Sequence, residues 1–367
     1  MPKLISILTV LSMLVTGILS CTQLTPYDVE GRDQVKNVIL FIGDGMGENH
    51  LEWTKDKLDI SLTMETFPLR GQSKTRSANW FVTDSAAGGT ALSSGIRTGN
   101  GYVGVYFADL LQVYSRPTNI TEICNAHGMR TGVVTTDKTT GATPASFTAH
   151  TSDRGNNDDI IEQQMSSDFD LIWGNTDELF VPEVAQANGF TVIESEEEMD
   201  SLENGSKSFG SFDGTTWNSD SGTDDPTLSE MTEKAIDILD NDEEGFFLMV
   251  EGAHIDKHSH ANEEDKMVLA LQEFDKAIAE ALEFAQEDGE TLIVITADHE
   301  TGKIVYEDGE YKYTRDSHSS TNVPVFVYGS SNFIENGEAI NNYMVPRLIA
   351  SSLGFDQSEF KNAKAAN

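Results

Sequence analysis

Cysteine and basic residues are both scarce in this chain of 367 residues. The two cysteines are Cys21 and Cys124, and if Cys21 is modified no disulfide can form within the chain. Lys and Arg number 24 against 61 Asp and Glu, which gives a formal net charge of −37. Such a charge excludes nucleic-acid binding through a basic surface. The apolar fraction of 38% is sufficient for a folded core and excludes a disordered chain.

The N-terminal segment has the pattern of a secretory signal. Lys3 precedes an uncharged apolar run, Leu4 to Leu19, and the segment ends in the letters ILSC at Cys21. This ending resembles the lipobox of bacterial lipoproteins, although Leu19 is larger than the usual residue there. Residues 1–21 are therefore predicted to be a signal peptide of lipoprotein type, with Cys21 as the site of a lipid anchor. An ordinary cleaved signal and an uncleaved membrane anchor are the alternatives.

Export follows from this interpretation. The protein is expected to be periplasmic or on the cell surface, held to the membrane by a lipid at Cys21. Residues 22–34 read as a polar tether, and residues 35–367 as a single catalytic domain.

Short apolar runs separated by helical patterns indicate the fold of that domain. Continuous apolar strands are typical of a parallel sheet that is covered on both faces. The sequence therefore predicts an α/β fold, a doubly wound, mostly parallel central sheet with helices on both faces. A stretch rich in Gly, Ser, Asp and Thr, Asn204–Pro226, is predicted to be a long surface loop. The apolar runs are Val35–Ile42, Gly132–Thr136, Gly245–Val250, Thr291–Thr296 and Val323–Tyr328, and the helical patterns are Thr227–Leu239, Lys266–Gln286 and Ala339–Leu353.

Acidic residues and histidines follow three of these runs at the point where each strand ends. VILFI is followed by GDG, FFLMV by EGAHID, and TLIVIT by ADHE. Ligands of open α/β sheets gather outside the carboxyl ends of the strands. Carboxylates mixed with imidazoles suit zinc and magnesium. One such residue would be an ordinary turn or cap, whereas three clusters predict a metal site.

The spacing of the histidines leaves the ligands undecided. Asp256 and His260 are four residues apart and would share one face of a helix, where both could bind one ion. His254 and His258 have the same spacing and compete for that role. A surface or core histidine is the alternative for each of them.

Two further segments carry residues suited to an anionic substrate. Ser85, within TDSAAGGTA, is placed to open a helix, whose N-terminal end favours an anion, and small neighbours let the backbone approach a bound group. A simple N-cap serine is the alternative. Arg154 follows ATPASFTAH, and its guanidinium can clamp two phosphate oxygens. A surface salt bridge is the alternative for Arg154.

Taken together, these motifs resemble the alkaline phosphatase family. The matching segments are VILFIGDGMG, TDSAAGGTALSSG, ATPASFTAH with its downstream Arg154, GFFLMVEGAHIDKHSHAN, TADHETG and SHSSTNVPVFVYG. They follow the family's order from Val35 to about Gly329. The resemblance implies a phosphoric monoester hydrolase that acts on small phosphate monoesters through a phosphoserine intermediate. It also implies two zinc ions, one magnesium ion and a homodimer.

The resemblance implies a role for each matching residue. Ser85 matches the nucleophile and Arg154 the phosphate clamp, so both are catalytic, and Lys257 matches a further substrate-binding residue. His254 and His258 match no ligand. The matching metal ligands are Asp256, His260 and His318 for the first zinc, Asp298, His299 and Asp44 for the second, and Asp44, Thr143 and Glu251 for magnesium.

The chain departs from the family's pattern at Gly141, where relatives generally carry Asp or His. The third metal is therefore expected to bind differently, with a third zinc as one possibility. Lys257 is expected to lack the acidic partner that position 141 supplies in relatives, and to lie nearer the phosphate. The stretch between His299 and His318 is short, which leaves little room for the crown-like insertion of larger members.

Two other functions are weighed against a monoesterase. A phosphodiesterase or a sulfatase of the same superfamily is the first. Diesterases commonly use Thr as nucleophile and lack the guanidinium clamp, and sulfatases need a CxPSR-like motif that this sequence lacks. A non-catalytic, phosphate-binding surface protein is the second, and retention of the nucleophile, the clamp and every ligand argues against it.

Overall fold

The apolar runs of the sequence lie at the centre of a ten-stranded sheet, seen in a computed structural model. The structure describes residues 35–79, 82–107, 114–213, 225–240, 244–360 and 362–363. The predicted signal peptide, Cys21 and the tether lie outside the described residues. All described residues fall in one compact unit, Arg32–Asn367.

The strands and helices alternate along the chain. The strands are β1 (Asn37–Gly43), β2 (Leu69–Lys74), β3 (Tyr106–Phe107), β4 (Tyr114–Pro117), β5 (Arg130–Lys138), β6 (Leu171–Asn175), β7 (Thr191–Ile193), β8 (Ser208–Phe212), β9 (Phe246–Gly252), β10 (Thr291–Thr296), β11 (Glu300–Thr301), β12 (Val305–Glu307), β13 (Glu310–Lys312), β14 (His318–Ser319), β15 (Val323–Tyr328), β16 (Ala339–Asn341) and β17 (Asn362–Ala363). The α-helices are α1 (Glu48–Leu58), α2 (Ser85–Ser94), α3 (Ile120–Ala126), α4 (Ala142–Thr148), α5 (Asn157–Met165), α6 (Pro182–Ala187), α7 (Glu196–Asp200), α8 (Leu228–Leu239), α9 (His254–His260), α10 (Glu264–Asp288) and α11 (Val345–Ser352). Short 3-10 turns occur at Thr63–Thr66, Asn342–Met344 and Gln357–Glu359.

The strand order of the large sheet is β16-β2-β15-β10-β1-β9-β5-β6-β8-β7. Strand β1 pairs in parallel with β10 on one side and β9 on the other, and β9 continues in parallel to β5. Ile42 lies opposite both Thr296 and Glu251, and Glu251 lies opposite Thr135. The carboxyl ends of four neighbouring strands therefore meet at one edge of the sheet.

Helices cover both faces of this sheet, as predicted. Neighbouring side chains of a strand point to opposite faces. The ring of Phe246 contacts Phe284 of α10, with centroids 5.9 Å apart, while the ring of Phe247 contacts Phe147 of α4, with centroids 6.3 Å apart. Burial on both sides explains why the central strands are apolar without alternation. The predicted doubly wound, mostly parallel architecture is confirmed, with β15 antiparallel to both of its neighbours.

The prediction of one helix over Ala339–Leu353 is wrong in its first third. Residues Ala339–Asn341 form the edge strand β16, and the helix begins at Val345. Pro346 lies in the first turn of α11. Proline has no N–H and fits the first turn of a helix, but it would break a helix that began at Ala339.

The prediction of a surface loop over Asn204–Pro226 is also wrong in part, because Ser208–Phe212 is the buried strand β8. A Cβ atom at Gly210 would lie 2.9 Å from Trp173 Cδ1. Trp173 Nε1 donates to Ser208 Oγ at 3.0 Å. The small residues that suggest a loop are thus needed to accommodate the neighbouring tryptophan. Residues 214–224 lie outside the described part.

A short hairpin lies between His299 and His318. Strand β11 pairs with β14, which places Thr301 opposite His318, and the enclosed strands β12 and β13 form the hairpin. Trp53 of α1 stacks on Tyr311 of the hairpin with centroids 5.8 Å apart. The hairpin is thus closed at its base and packed along one side.

Two findings concern membrane-spanning helices and cysteines in the described part of the chain. Among the residues described, no helix has the length and apolar character needed to cross a membrane. Cys124 is buried and not in a disulfide, and burial raises the pKa of its thiol. Packing, and not a cross-link at Cys124, stabilises this part of the molecule.

Asn37 generates a test of how the central strands are held in register. Its Nδ2 donates to Thr291 Oγ1 at 3.3 Å, its Oδ1 accepts from Phe246 N at 3.2 Å, and the residue is buried. Asn37→Ala leaves a buried N–H unpaired and should lower the free energy of unfolding by about 1–3 kcal/mol in urea denaturation. Asn188→Ala, at an exposed asparagine on the end of α6, is the control and should change it by less than about 0.5 kcal/mol. Equal losses in the two variants would contradict this account of Asn37.

Candidate active site

The acidic residues that follow the strands converge at the carboxyl edge of the sheet. Asp44 follows β1, Glu251 ends β9 together with Gly252, and Asp298 follows β10. Gly45 makes this convergence possible. It has φ +73°, and a Cβ atom there would lie 2.8 Å from Asp256 Oδ1. Its N–H donates to Asp298 Oδ1 at 3.3 Å.

One cluster of ligand atoms consists of Asp44, Asp298 and His299. His299 Nε2 lies 3.1 Å from Asp298 Oδ2 and 3.5 Å from Asp44 Oδ1. All three residues are buried, and their ligand atoms lie within 4.8 Å of one another. Ser85 Oγ lies 3.2 Å from His299 Nε2. The cluster therefore borders the hydroxyl that the sequence singled out.

A second cluster consists of Asp256, His260 and His318. His260 Nε2 lies 3.3 Å from Asp256 Oδ2, and His318 Nε2 lies 3.8 Å from Asp256 Oδ1. The His318 ring stacks on His299 with centroids 3.6 Å apart. The two clusters are therefore neighbours.

The tautomers in the second cluster favour a cation. Nδ1 of His260 faces the carbonyl oxygen of Asp316 at 2.6 Å, and Nδ1 of His318 faces that of Thr83 at 2.9 Å. A carbonyl only accepts, so each Nδ1 carries the hydrogen and each neutral ring presents the lone pair of Nε2. These two Nε2 atoms lie 3.0 Å apart. Two lone pairs at that distance require a proton or a metal ion beside them.

Three buried oxygen atoms at the site make no well-aligned hydrogen bond among the described residues: Asp44 Oδ1, Asp298 Oδ2 and Thr143 Oγ1. Asp298 Oδ2 nevertheless lies 3.1 Å from His299 Nε2, and Thr143 lies beside Glu251. Buried polar atoms are almost always paired, because an unpaired one costs free energy. Two of these atoms belong to the first cluster. Thr143 lies in the first turn of α4, and Glu251 accepts a hydrogen bond from Thr135 Oγ1. These three oxygens are those expected to face metal ions.

The site carries a large excess of negative charge. Burial, and then the charge of Asp137, raises the pKa of Glu251 to about 8. Burial, and then the charge of Asp256, raises the pKa of Asp298 to about 7, and burial raises that of Asp44 well above its usual value. Without cations these carboxyl groups retain protons near neutral pH. A set of two carboxylates and one imidazole suits zinc, and so does a set of one carboxylate and two imidazoles. Asp44, Thr143 and Glu251 offer only oxygen atoms, which magnesium prefers.

Ser85 is the first residue of α2, and Asp84 is its N-cap. Asp84 Oδ1 accepts from Ala87 N at 3.0 Å, so the N-cap alternative for Ser85 does not apply. The small residues of this helix serve packing. A Cβ atom would lie 2.9 Å from Asp298 Cβ at Gly88, and 2.9 Å from Ser146 Oγ at Gly89. The small residues thus let the helix approach neighbouring protein segments, and they bring its positive end to the two clusters of candidate ligand atoms.

Arg154 lies beside the same helix end. Its Nη1 donates to Asp84 Oδ2 at 3.2 Å, and that oxygen also accepts from Gly101 N at 2.9 Å. The side chain is 42% exposed. The salt bridge considered as an alternative is therefore present, and it holds the guanidinium next to Ser85.

Lys257 has no acidic partner at position 141, but its Nζ forms an ion pair with another acidic residue, Asp137. This contact holds the ammonium group, and the position of Lys257 relative to a phosphate stays a prediction. Sequence reasoning missed Asp137, although it directly follows the apolar run Gly132–Thr136. The rule that found the other strand-end acids would have found it too.

The competing histidines lie outside both clusters. His258 Nδ1 lies 3.0 Å from Glu263 Oε2, and the His254 and His258 rings are 5.6 Å apart. Neither residue joins the ligand atoms grouped among the described residues. The structure thus brings together the set that contains Asp256 and His260.

Comparisons with known proteins agree on one family. The family model described as alkaline phosphatase matches residues 35–175 and 174–315. The alkaline phosphatase of Escherichia coli strain K12 is 31% identical over 333 residues, which cover 72% of this chain and 70% of that protein. Alkaline phosphatase 3 of Bacillus subtilis strain 168 is 34% identical over 307 residues, which cover 77% of this chain and 65% of that protein.

Solved structures give the same result. The alkaline phosphatase from the Antarctic bacterium TAB5 has a TM-score of 0.78 and 32% identity to this chain, over 89% of this chain and 100% of that one. A mutant of the TAB5 enzyme has Mg bound in its M3 site.

The raised pKa values predict how the metal-free protein responds to pH. A carboxyl group whose pKa is higher in the folded state stabilises the fold at low pH. That stability is lost as pH rises from the unfolded pKa of about 4 through the folded pKa. For Asp298 and Glu251 the folded values are about 7 and about 8. The Tm of chelator-treated protein should therefore fall across this window, and added zinc and magnesium should restore it.

Scanning calorimetry of metal-free and metal-loaded protein across that window is the measurement. Glu251→Gln is the control, since it removes one titrating group and should flatten the fall of the metal-free Tm. A metal-free Tm that rises between about pH 5 and about pH 8 would contradict the charge assignment.

Proposed function

The chain belongs to the alkaline phosphatase family, and on that premise we propose that it hydrolyses small phosphate monoesters through a phosphoserine intermediate at Ser85. The observation that carries the proposal is the position of Ser85 Oγ. It lies 3.2 Å from His299 Nε2, at the N-terminal end of α2. It adjoins a cluster of buried metal-ligand atoms, and Arg154 is held beside it by Asp84.

The metals are assigned by donor chemistry and by the family resemblance. Zinc is assigned to the cluster of Asp256, His260 and His318 and to that of Asp44, Asp298 and His299, and magnesium to Asp44, Thr143 and Glu251. When bound, such ions lower the pKa of a neighbouring hydroxyl group and stabilise negative charge on the leaving oxygen. The TAB5 mutant with Mg in its M3 site supports magnesium at the third position.

The chain's own residues bind and orient the substrate. The guanidinium of Arg154 donates hydrogen bonds to two non-bridging phosphate oxygens, and the N-terminal end of α2 favours the same negative charge. Ser85 loses its hydroxyl proton to solvent and attacks phosphorus, and the bond to the ester oxygen breaks in line with the attack. The leaving alkoxide takes up a proton. Water then attacks the phosphoserine and releases inorganic phosphate.

Burial favours the neutral form of the His299 ring. Burial, and then the charge of His318, lowers the pKa of His299 well below its usual value. The ring is therefore neutral at the working pH, and its Nε2 is available as a ligand. Thr301 Oγ1 lies 3.3 Å from His299 Nδ1 and fixes the ring from the other side.

Arg154 also favours a monoesterase over the phosphodiesterase alternative. A monoester offers three non-bridging oxygens, two of which can meet the planar guanidinium fork and leave the third free for another cation. A diester has one oxygen fewer and carries a second substituent. A non-catalytic phosphate-binding protein would hydrolyse neither kind of ester, so any turnover distinguishes it from both enzymes.

Export, a lipid anchor at Cys21 and homodimer formation are proposed as well. The N-terminal apolar run that ends at Cys21 supports the first two, and the family resemblance supports the third. Membrane fractionation of wild type and Cys21→Ala, and light scattering of the purified protein, test these points.

Three aryl esters with the same leaving group separate the candidate functions. We expect p-nitrophenyl phosphate to be hydrolysed faster than bis-p-nitrophenyl phosphate and p-nitrophenyl sulfate, at alkaline pH with zinc and magnesium. Ser85→Ala should lower kcat for the monoester by about 10³-fold or more, because the nucleophile is lost. Ser93→Ala, at a buried serine of the same helix, is the control and should retain activity.

The outcomes are distinct. Faster turnover of the diester or the sulfate would refute the monoesterase assignment while leaving the family intact. Equal activity in Ser85→Ala and wild type would refute the nucleophile. Loss of acid-stable phosphate labelling in Ser85→Ala, and not in Ser93→Ala, would support phosphoserine.

A further inference from the structure

The backbone conformation at Gly141 does not require a glycine. It is the N-cap of α4, with φ −51° and ψ 149°, a conformation open to any residue. Limited space is what disfavours a side chain there. A Cβ atom would lie 2.8 Å from Asp137 Oδ2 and 3.0 Å from the carbonyl oxygen of Lys138. The carboxylate of Asp137 thus fills the place that a side chain at position 141 would take.

Asp137 is fixed on two sides. Its backbone N–H donates to Thr135 Oγ1 at 2.9 Å, and its carboxylate pairs with Lys257 Nζ. The pairing of β5 with β6 changes register between Val134 and Lys138. Such irregularities re-aim side chains and are common beside active sites. The register change therefore accompanies the turn of Asp137 toward the site.

Thr135 links Asp137 to a residue assigned to the third metal. The Thr135 hydroxyl accepts from Asp137 N and donates to Glu251 Oε2. Glu251 lies at the end of β9, and Lys257 lies on α9, which follows β9 directly. Asp137 thus ties the carboxyl end of β5 to the segment that holds Glu251.

We propose that Asp137 is a positioning residue of the third metal site, and that Gly141 leaves the room it requires. Its carboxylate adds negative charge beside Glu251 and fixes the ammonium group of Lys257. Magnesium retains several of its waters in proteins, so a carboxylate that accepts from such waters contributes to affinity without direct ligation. The inference rests on the magnesium assignment made under the proposed function.

The two positions should behave as a pair. Asp137→Asn has the shape of the native residue but lacks its charge, and should weaken magnesium binding by about tenfold or more. Gly141→Asp should also weaken it, because a second carboxylate is forced against the first. In Asp137→Ala combined with Gly141→Asp, the new carboxylate enters the vacated space, and affinity should return to within about threefold of wild type.

Calorimetric titration of zinc-loaded protein with magnesium chloride measures these affinities without any turnover. Glu52→Gln is the matched control, because it removes a carboxylate from a remote ion pair with Lys55 at 3.0 Å, and should leave magnesium binding unchanged. Thermal denaturation of each variant accompanies the titration, so that misfolding is recognised.

Wild-type affinity in Asp137→Asn would overturn the inference, and so would a double variant that binds no better than Asp137→Ala alone. Should wild type and Glu251→Gln both fail to take up magnesium, the third-site assignment itself is refuted, and this inference with it. Weaker binding in each single variant and recovery in the double variant would establish the pair.

Discussion

Burial of negative charge is the constraint on which the whole site depends. Asp44, Asp298 and Glu251 are buried at the ends of adjacent strands, and burial raises the pKa of each. The nearby cations cannot neutralise them, because Arg154 is paired with Asp84 and Lys257 with Asp137. Divalent cations resolve this conflict. They also tie together segments that are remote in sequence, so that metal binding contributes to folding free energy as well as to chemistry.

The sheet supplies the precision that such a site requires. Parallel pairing of β10, β1, β9 and β5 brings four carboxyl ends to one edge in a fixed register. Helix α2, which begins at Ser85, lies against that edge because its glycines leave no side chain between the helix and the strand end. Carbonyl oxygens then orient the histidine rings of the second cluster. The strand pairing, the glycines and the carbonyl oxygens are mostly not members of the two clusters, yet each of them fixes the position of a residue that is.

The sequence predicted the strands whose two faces are both covered by apolar packing, and it did not predict the strands that lack such an apolar run. The central strands are apolar throughout, whereas β2 alternates buried and exposed residues at the side of the sheet and gives no apolar run. Strand β8 is buried but built from Ser, Gly and Phe, a composition that suggests a loop. Strand ends located, as a group, the acidic residues that the structure brings together. They could not choose between Asp256 with His260 and the competing pair. Asp137 also follows an apolar run, but its ion pair with Lys257 joins two segments that sequence periodicity does not connect.

In the hairpin between Thr301 and His318, the base fixes the position of His318 and the tip does not. His318 is placed at the base of this loop, by its pairing with Thr301 and by the carbonyl of Thr83, and not by the tip at Asp308 and Gly309. Closing a longer loop is inexpensive, about 0.6 kcal/mol for each doubling of length. The tip can therefore be lengthened, replaced or exchanged for a folded module while His318 at the base stays in place. In evolutionary terms this is a modular position, where recognition can diversify independently of the reaction chemistry.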